Sequence, residues 1–397
     1  MRMKRVKIIE EFPIPWSEAT IQAFRETLLA WYDQEKRDLP WRQTKDPYKI
    51  WVSEIMLQQT QVNTVIPYYE RFIEALPNIQ ALAEAEEETL LNLWQGLGYY
   101  SRVRNMQTAA QQVMGEYGGQ LPKTAEALRT LKGIGPYTAG AIASIAFGEP
   151  EPAVDGNLMR IVTRLFEIGE DIGKASTKRQ ITAYLYQMID PKRPGDFNQA
   201  LMDLGATIMT PANLTPELSP LKAFDQSYQH GTAELYPVKK SKVTVTEHSF
   251  LAYILMNPNG EVLFRKHGEG ELLTGLWHFP LIEQTLVMDE ATEQEMLEPL
   301  TDWLTGTDLA FSKEQFHLSL PQAYRYDREQ LLRHLPLVKH QFSHRLWYVQ
   351  LVPVQVNQSS NSLSGQLEWL TLEELKTYPM STLQTKLLQR WLPDLGV

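Results

Sequence analysis

With 397 residues, 43% of them hydrophobic, the chain has material for two or three domains with cores of their own. It contains no cysteine, which excludes disulfides, thiolate zinc sites and cysteine nucleophiles. The formal charge of −10 sits awkwardly with a nucleic-acid partner, but ten acids (Glu84, Glu86, Glu87, Glu88; Glu283, Asp289, Glu290, Glu293, Glu295, Glu298) fall in two segments without Lys or Arg. The 38 remaining acids balance 38 basic residues, so a basic face stays available.

The first sixteen residues are basic and lack the apolar core of a signal peptide, and no run reaches the length of a membrane span, so a soluble intracellular protein is expected. Residues 17–36 read as an amphipathic helix carrying Ile21, Phe24, Leu28 and Trp31, broken by Leu39-Pro40-Trp41-Arg42. Asp46-Pro47 is a cap and first-turn pair for a helix from Tyr48 to about Gln59, with Glu54 in it. A carboxyl near Ile50 and Trp51 favours its protonated form and suits a general acid. Spacing alone favours the plainer reading, a wet face of Ser53, Glu54, Gln58 and Gln61. Leu90 to Gln95 ends in Gly96-Leu97-Gly98-Tyr99-Tyr100, and Tyr99 by itself reads as a core aromatic.

Gly133-Ile134-Gly135-Pro136 then opens a small-residue helix, with Pro136 at the first helical position. Free N–H groups and two glycines make an anion cradle there. After the turn Glu149 to Pro152 comes Asp155, followed by the apolar helix Leu158 to Ile168; alone, Asp155 reads as an N-cap. Helices continue through 177–189 and 198–209, and the region stays mainly helical to about residue 230. Residues 231–248 read as a linker with Lys239, Lys240 and Lys242. Beyond it come strands Ser249 to Met256 and Val262 to Lys266 around a Pro258-Asn259-Gly260 turn, an acidic helix near Asp289 to Leu304, and strands through Leu346 to Val354.

The stretch Leu131 to Asn157 resembles the helix-hairpin-helix plus aspartate signature of the endonuclease III superfamily of DNA glycosylases. Several further segments resemble the MutY-type adenine DNA glycosylases within it, over nearly the whole chain. The resemblance implies a mainly α N-terminal glycosylase region, a helical bundle with the helix-hairpin-helix plus a second helical lobe, followed by an α/β Nudix-like C-terminal domain. The expected boundaries are 1–230 for the helical region (41–147 the bundle, 1–40 and 148–230 the second lobe), 231–248 for the linker and 249–397 for the Nudix-like domain.

Site roles follow from the same resemblance. SEIMLQQTQV places Glu54 as the catalytic glutamate, with Gln58 and Gln59 where the family wedges a side chain into the base stack. Trp41 and Arg42 match residues near the extruded adenine. In GLGYYSRVRN, Tyr99 becomes an intercalating residue, with Ser101, Arg102 and Arg104 near the DNA backbone. Gly133 and Gly135 would receive a phosphate, Asp155 would face the sugar, and Asn157 and Tyr137 would orient these groups. Gln199 and Asp203 are candidates for reading adenine. Phe342-Ser343-His344 matches the loop that inspects 8-oxoguanine, and Leu276-Trp277-His278-Phe279-Pro280 the middle of the Nudix-like domain. No R-E-x-x-E-E helix is present, so a recognition domain is expected rather than a second enzyme.

Two departures matter. Most relatives hold a [4Fe–4S] cluster on four cysteines, whose positions here are Met209, Pro216, Ser219 and Asp225, so no cluster is expected and the loop would be held by Pro packing and Leu214, Leu218 and Leu221. Tyr137 stands where lyase-competent relatives carry a lysine. The expected activity is therefore a monofunctional glycosylase, a hydrolase of base excision repair that removes adenine opposite 8-oxoguanine or guanine in double-stranded DNA. It would act as a cytoplasmic, nucleoid-associated monomer without a membrane partner and without a cofactor, a structural cation at the 131–136 hairpin staying open. Alternatives are a non-catalytic DNA-damage binder, a glycosylase for another base, and a magnesium-dependent nucleotide-pool hydrolase.

Overall fold

The computed structural model describes residues 2–212, 214–240, 244–284, 293–305, 316–318, 335–357 and 366–392. The chain divides into two compact units, residues 1–85 with 101–242 and residues 86–100 with 243–397.

The first unit is helical. Five of its helices build the site and are numbered here: α1 (Pro47–Met56), α2 (Ser101–Tyr117), α3 (Pro136–Phe147), α4 (Gly156–Leu165) and α5 (Pro194–Thr207). Asp46 caps α1 by accepting from the Tyr48 N–H at 2.9 Å, with Pro47 at the first position. Tyr48, Ile50, Trp51, Val52, Ile55 and Met56 of α1 are buried, and so are Ser53 and Glu54. α3 is buried continuously from Thr138 to Ile145, because its alanines and glycine let neighbouring backbones close in, and it stops at Gly148 in the left-handed conformation. A second core gathers Phe24 and Leu28 with Leu158, Ile161, Phe197, Leu201 and Leu204, joining the helix Glu18–Glu35 to α4 and α5.

Residues expected to be a linker pack instead. Arg164 Nε donates to the carbonyls of Ala233 (3.2 Å) and Tyr236 (3.1 Å), Ile172 N–H donates to Val238 O at 3.0 Å, and Ala233 is buried. At the other end of that stretch the first strand already begins at Thr246.

The second unit holds one mixed sheet: β1 (Thr246–Met256), β2 (Val262–Lys266), β3 (Trp277–His278), β4 (Leu281–Gln284), β5 (Phe316–Leu318), β6 (Leu337–Gln341), β7 (Arg345–Val356) and β8 (Leu367–Leu370). Its path runs β3-β2-β1-β7-β5, with β4 on β1, β6 on β7 and β8 on β2; β1 and β7 run parallel, from Thr246 opposite Arg345 to Met256 opposite Gln355. The acidic helix spans Glu293–Thr305 and packs Met296, Leu300 and Leu304 against Leu251, Tyr253 and Val352; residues 289–292 of the expected helix lie outside the described ones. The helix Glu87–Trp94 and the glycine turn after it belong to this unit: Asn92 Nδ2 donates to Thr377 O (2.8 Å) and the Tyr100 hydroxyl to Met380 O (2.9 Å).

Candidate active site

Glu54 is buried, at 4% exposure, which overturns the wet-face reading from spacing. The reason is non-local. α3 lies across α1, and Tyr137 in its first turn donates its hydroxyl to Glu54 Oε2 at 2.5 Å. Burial, with the Asp155 carboxylate nearby, pushes Glu54 up to about 7, although the Tyr137 hydroxyl and Arg42 act in the opposite direction. Burial also pushes the Tyr137 hydroxyl well above its usual range, so it stays a donor.

Asp155 is the N-cap of α4, as its position suggested, and more than that. Its Oδ1 accepts from Leu158 N–H (2.8 Å) and its Oδ2 from Asn157 Nδ2 (2.8 Å). Burial raises its pKa, while these donors and Arg160 favour the anion. The segment leading to it is fixed by Asn198 of α5, which is fully buried. Asn198 Oδ1 accepts from Ala153 N–H at 3.2 Å, and its Nδ2 donates to Ser144 Oγ and Glu151 O, both at 2.9 Å.

A cavity of about 440 Å³ opens onto Glu54, Tyr137, Asp155 and Asn157, and its wall includes Arg37, Trp41, Arg42 and Gln199. Trp41 is held edge-on against Tyr69. Six residues singled out in the sequence, Trp41, Arg42, Glu54, Tyr137, Asp155 and Asn157, therefore meet at one cavity, joined by Gln199. Asp203, expected as a base reader, is 1% exposed, and its carboxylate is engaged by the guanidiniums of Arg37 and Arg42.

The wedge candidates separate. Gln58 Nε2 reaches Thr138 Oγ1 (3.3 Å), whereas Gln59 is exposed with φ +58°. Arg102 does not extend outward: its Nη1 donates to the carbonyls of Ile55 (2.8 Å) and Gln58 (2.5 Å), satisfying the C-terminal end of α1. Ser101 is exposed at the start of α2. At the hairpin, Gly133 has φ +77° and a Cβ there would meet Asn105 Cβ at 2.7 Å, so glycine is required; a Cβ at Gly135 would meet open space. In the second unit, Tyr99 is 46% exposed rather than a core aromatic, has φ +47°, and hydrogen-bonds Ser343. Ser343 is at the tip of the β6–β7 turn, closed by Phe342 N–H to Arg345 O at 2.8 Å; Phe342 packs on Trp347, and the His344 carbonyl accepts from Thr246 N–H at 3.0 Å.

Arg160 was not singled out from the sequence. It is 8% exposed and donates to Asn157 Oδ1 (2.6 Å), Gly205 O (2.7 Å) and Met209 O (2.6 Å), so it orients the amide that holds Asp155. The available signal was a charged residue three positions after Asn157 and four before Arg164, on the polar face of the helix.

The residues present do not fit an iron–sulfur cluster. None of the four positions offers a thiolate; Asp225 Oδ1 accepts from Ser227 Oγ (2.7 Å) and Tyr228 N–H (3.1 Å), and Met209 is buried at 1% exposure with its carbonyl on Arg160 and Arg164. Of the three leucines expected to hold this loop, Leu221 and Leu214 join the core, but Leu218 is 66% exposed.

A glycine hairpin opening a helix beside two carboxylates, buried Glu54 and half-buried Asp155, is an arrangement that suits a base-excision glycosylase. Residues 52–187 match the HhH-GPD superfamily of base excision DNA repair proteins, and residues 251–390 match the NUDIX domain. The chain is 36% identical to the adenine DNA glycosylase of Homo sapiens over 93% of its length and 74% of that protein. It is 35% identical to the adenine DNA glycosylase of Mus musculus, over 98% of the chain and 82% of that protein. It is 33% identical to that of Buchnera aphidicola subsp. Schizaphis graminum, over 86% and 89%. The chain belongs to the adenine DNA glycosylase family. Among the described residues, no helix is long and apolar enough to cross a membrane.

Proposed function

We propose that this base excision repair glycosylase hydrolyses the N-glycosidic bond of adenine opposite 8-oxoguanine or guanine in double-stranded DNA and leaves an intact abasic site. The observation that carries the reading is the pair Glu54 and Asp155 at one cavity, the first with a single side-chain donor and the second with several. The names of the relatives support adenine as the base.

The chemistry follows from the bond. The nucleotide must leave the stack to reach a cavity of this kind. Adenine departs poorly until protonated, and a carboxyl at about 7 holds a proton near neutrality and can give it to N7. As the bond to C1′ breaks, Asp155 meets the positive charge growing on the sugar, by charge or by a transient bond, and a water completes hydrolysis. Position 137 is Tyr, whose hydroxyl engages Glu54 and supplies no amine for a Schiff base. Ser343 would read the oxidised edge, with Gln59 and Tyr99 as wedges. The enzyme would work as a monomer and without iron.

Single-turnover assays on duplexes with adenine opposite 8-oxoguanine, guanine and thymine test the reading. Cleavage is expected opposite the first two only, without strand scission. Equal rates opposite thymine and 8-oxoguanine would sink the mispair assignment, and iron bound stoichiometrically to purified protein would sink the cofactor assignment.

A further inference from the structure

One carboxylate in this molecule serves two guanidiniums. Asp203 lies on α5 at 1% exposure; its Oδ1 accepts from Arg37 Nε (2.7 Å) and Arg42 Nη2 (2.8 Å), and its Oδ2 from Arg42 Nη1 (2.5 Å). Arg42 Nη1 also donates to the Arg37 carbonyl at 3.2 Å, and the guanidinium carbon sits 5.6 Å from the Tyr32 ring centroid. Both arginines line the cavity that holds Glu54, and Asp203 is not among the lining residues. A buried ion pair meant only to hold helices together needs one cation for one anion, since a surplus buried charge is costly. Here a second, half-buried cation, Arg37, is kept beside the buried Arg42–Asp203 pair, at the wall of the cavity that holds Glu54. A guanidinium gripped through two nitrogens also loses its freedom to rotate, and its fork geometry becomes a fixed planar donor set. Arg42 Nη2 carries two hydrogens, and the contact to Asp203 uses one of them.

We propose that Asp203 is a positioning residue, which holds Arg37 and Arg42 as one planar donor wall against the ring edge of the flipped purine. This rests on the reading that the cavity receives adenine. Asp203 touches neither base nor sugar. It acts by preventing the wall from turning.

The test is single-turnover cleavage, opposite 8-oxoguanine, of adenine, 1-deazaadenine and 3-deazaadenine by wild type, Asp203→Asn and Asp203→Glu. Each deaza purine lacks one ring acceptor. Wild type is expected to cleave one of the two at least about tenfold more slowly than adenine, the cost of an unmet donor. Asp203→Asn should cleave adenine about 30-fold more slowly, as expected of a misplaced binding group, with the deaza penalty collapsing to within about threefold. Affinity for the mispaired duplex should stay close to wild type, and Asp203→Glu should restore both rate and discrimination. Asp203→Asn slowing all three purines by one common factor would mean a structural role and overturn the proposal, as would wild-type behaviour of the variant. Should Asp203→Asn fail to fold, Arg42→Lys, which keeps the charge for Asp203 but loses the fork, must show the same collapse; a retained penalty overturns the inference. Wild type inactive on adenine in any pair would instead overturn the adenine reading itself.

Discussion

The wall that carries Glu54 and the turn that carries Asp155 face the same cavity, the first carboxyl buried and the second half-buried, and they differ above all in the supply of hydrogen-bond donors. Glu54 sits in the last turn of α1, where backbone N–H groups are already paired, and among the described residues its carboxylate receives only the Tyr137 hydroxyl. Asp155 sits at a helix start, where N–H groups are free, and takes Leu158 N–H and the Asn157 amide, with the positive end of α4 beneath it. Desolvation raises both, and Asp155 has more donors set against it than Glu54. In the proposed mechanism, position along a helix would then separate the proton donor from the anion.

The largest expected effect comes from erasing the anion. Asp155→Asn keeps the shape and should lower the single-turnover rate by at least about 10³-fold, with duplex affinity retained; a residual rate within about tenfold of wild type would remove Asp155 from the chemistry. Glu54→Gln is expected next, at about 10²- to 10⁴-fold in rate, with an opposite effect on stability. The folded pKa of Glu54 is raised to about 7 from 4.5, so folding energy is lost as the pH rises from the unfolded value to the folded one, and the loss is complete above it. At pH 8 the glutamine variant should be more stable by about 3 kcal/mol. That gain should shrink as the pH falls towards 4, where the wild-type carboxyl is protonated in both states. Thermal unfolding at several pH values measures it, and a pH-independent difference would contradict the burial argument. The smallest effect is expected for Tyr137→Phe. Removing a donor that lowers Glu54 should move the alkaline fall of the rate to higher pH while costing about tenfold or less at its optimum; a shift to lower pH would show that the hydroxyl acts elsewhere.

Much of the first unit was legible because its signals are local. The Asp46-Pro47 start, the Gly133 to Pro136 hairpin and the Asp155 cap each fit within four residues, and each is where the pattern put it. Glu54 was not readable as buried, because what covers it arrives from residue 137. Asp203 failed as a base reader for the same reason: its two partners lie more than 160 positions away. The packing of 233–238 was invisible for another. Arg164 binds it through main-chain carbonyls, which every residue possesses and which leave no mark in a sequence.

The bonds from Arg160 and Arg164 to the Met209 carbonyl form as part of folding itself. No thiolate is available in this loop for peroxide to attack. If the lesion is an oxidised guanine, as proposed, an anchor made of guanidinium-to-carbonyl bonds would hold under the same oxidising conditions that create the lesion.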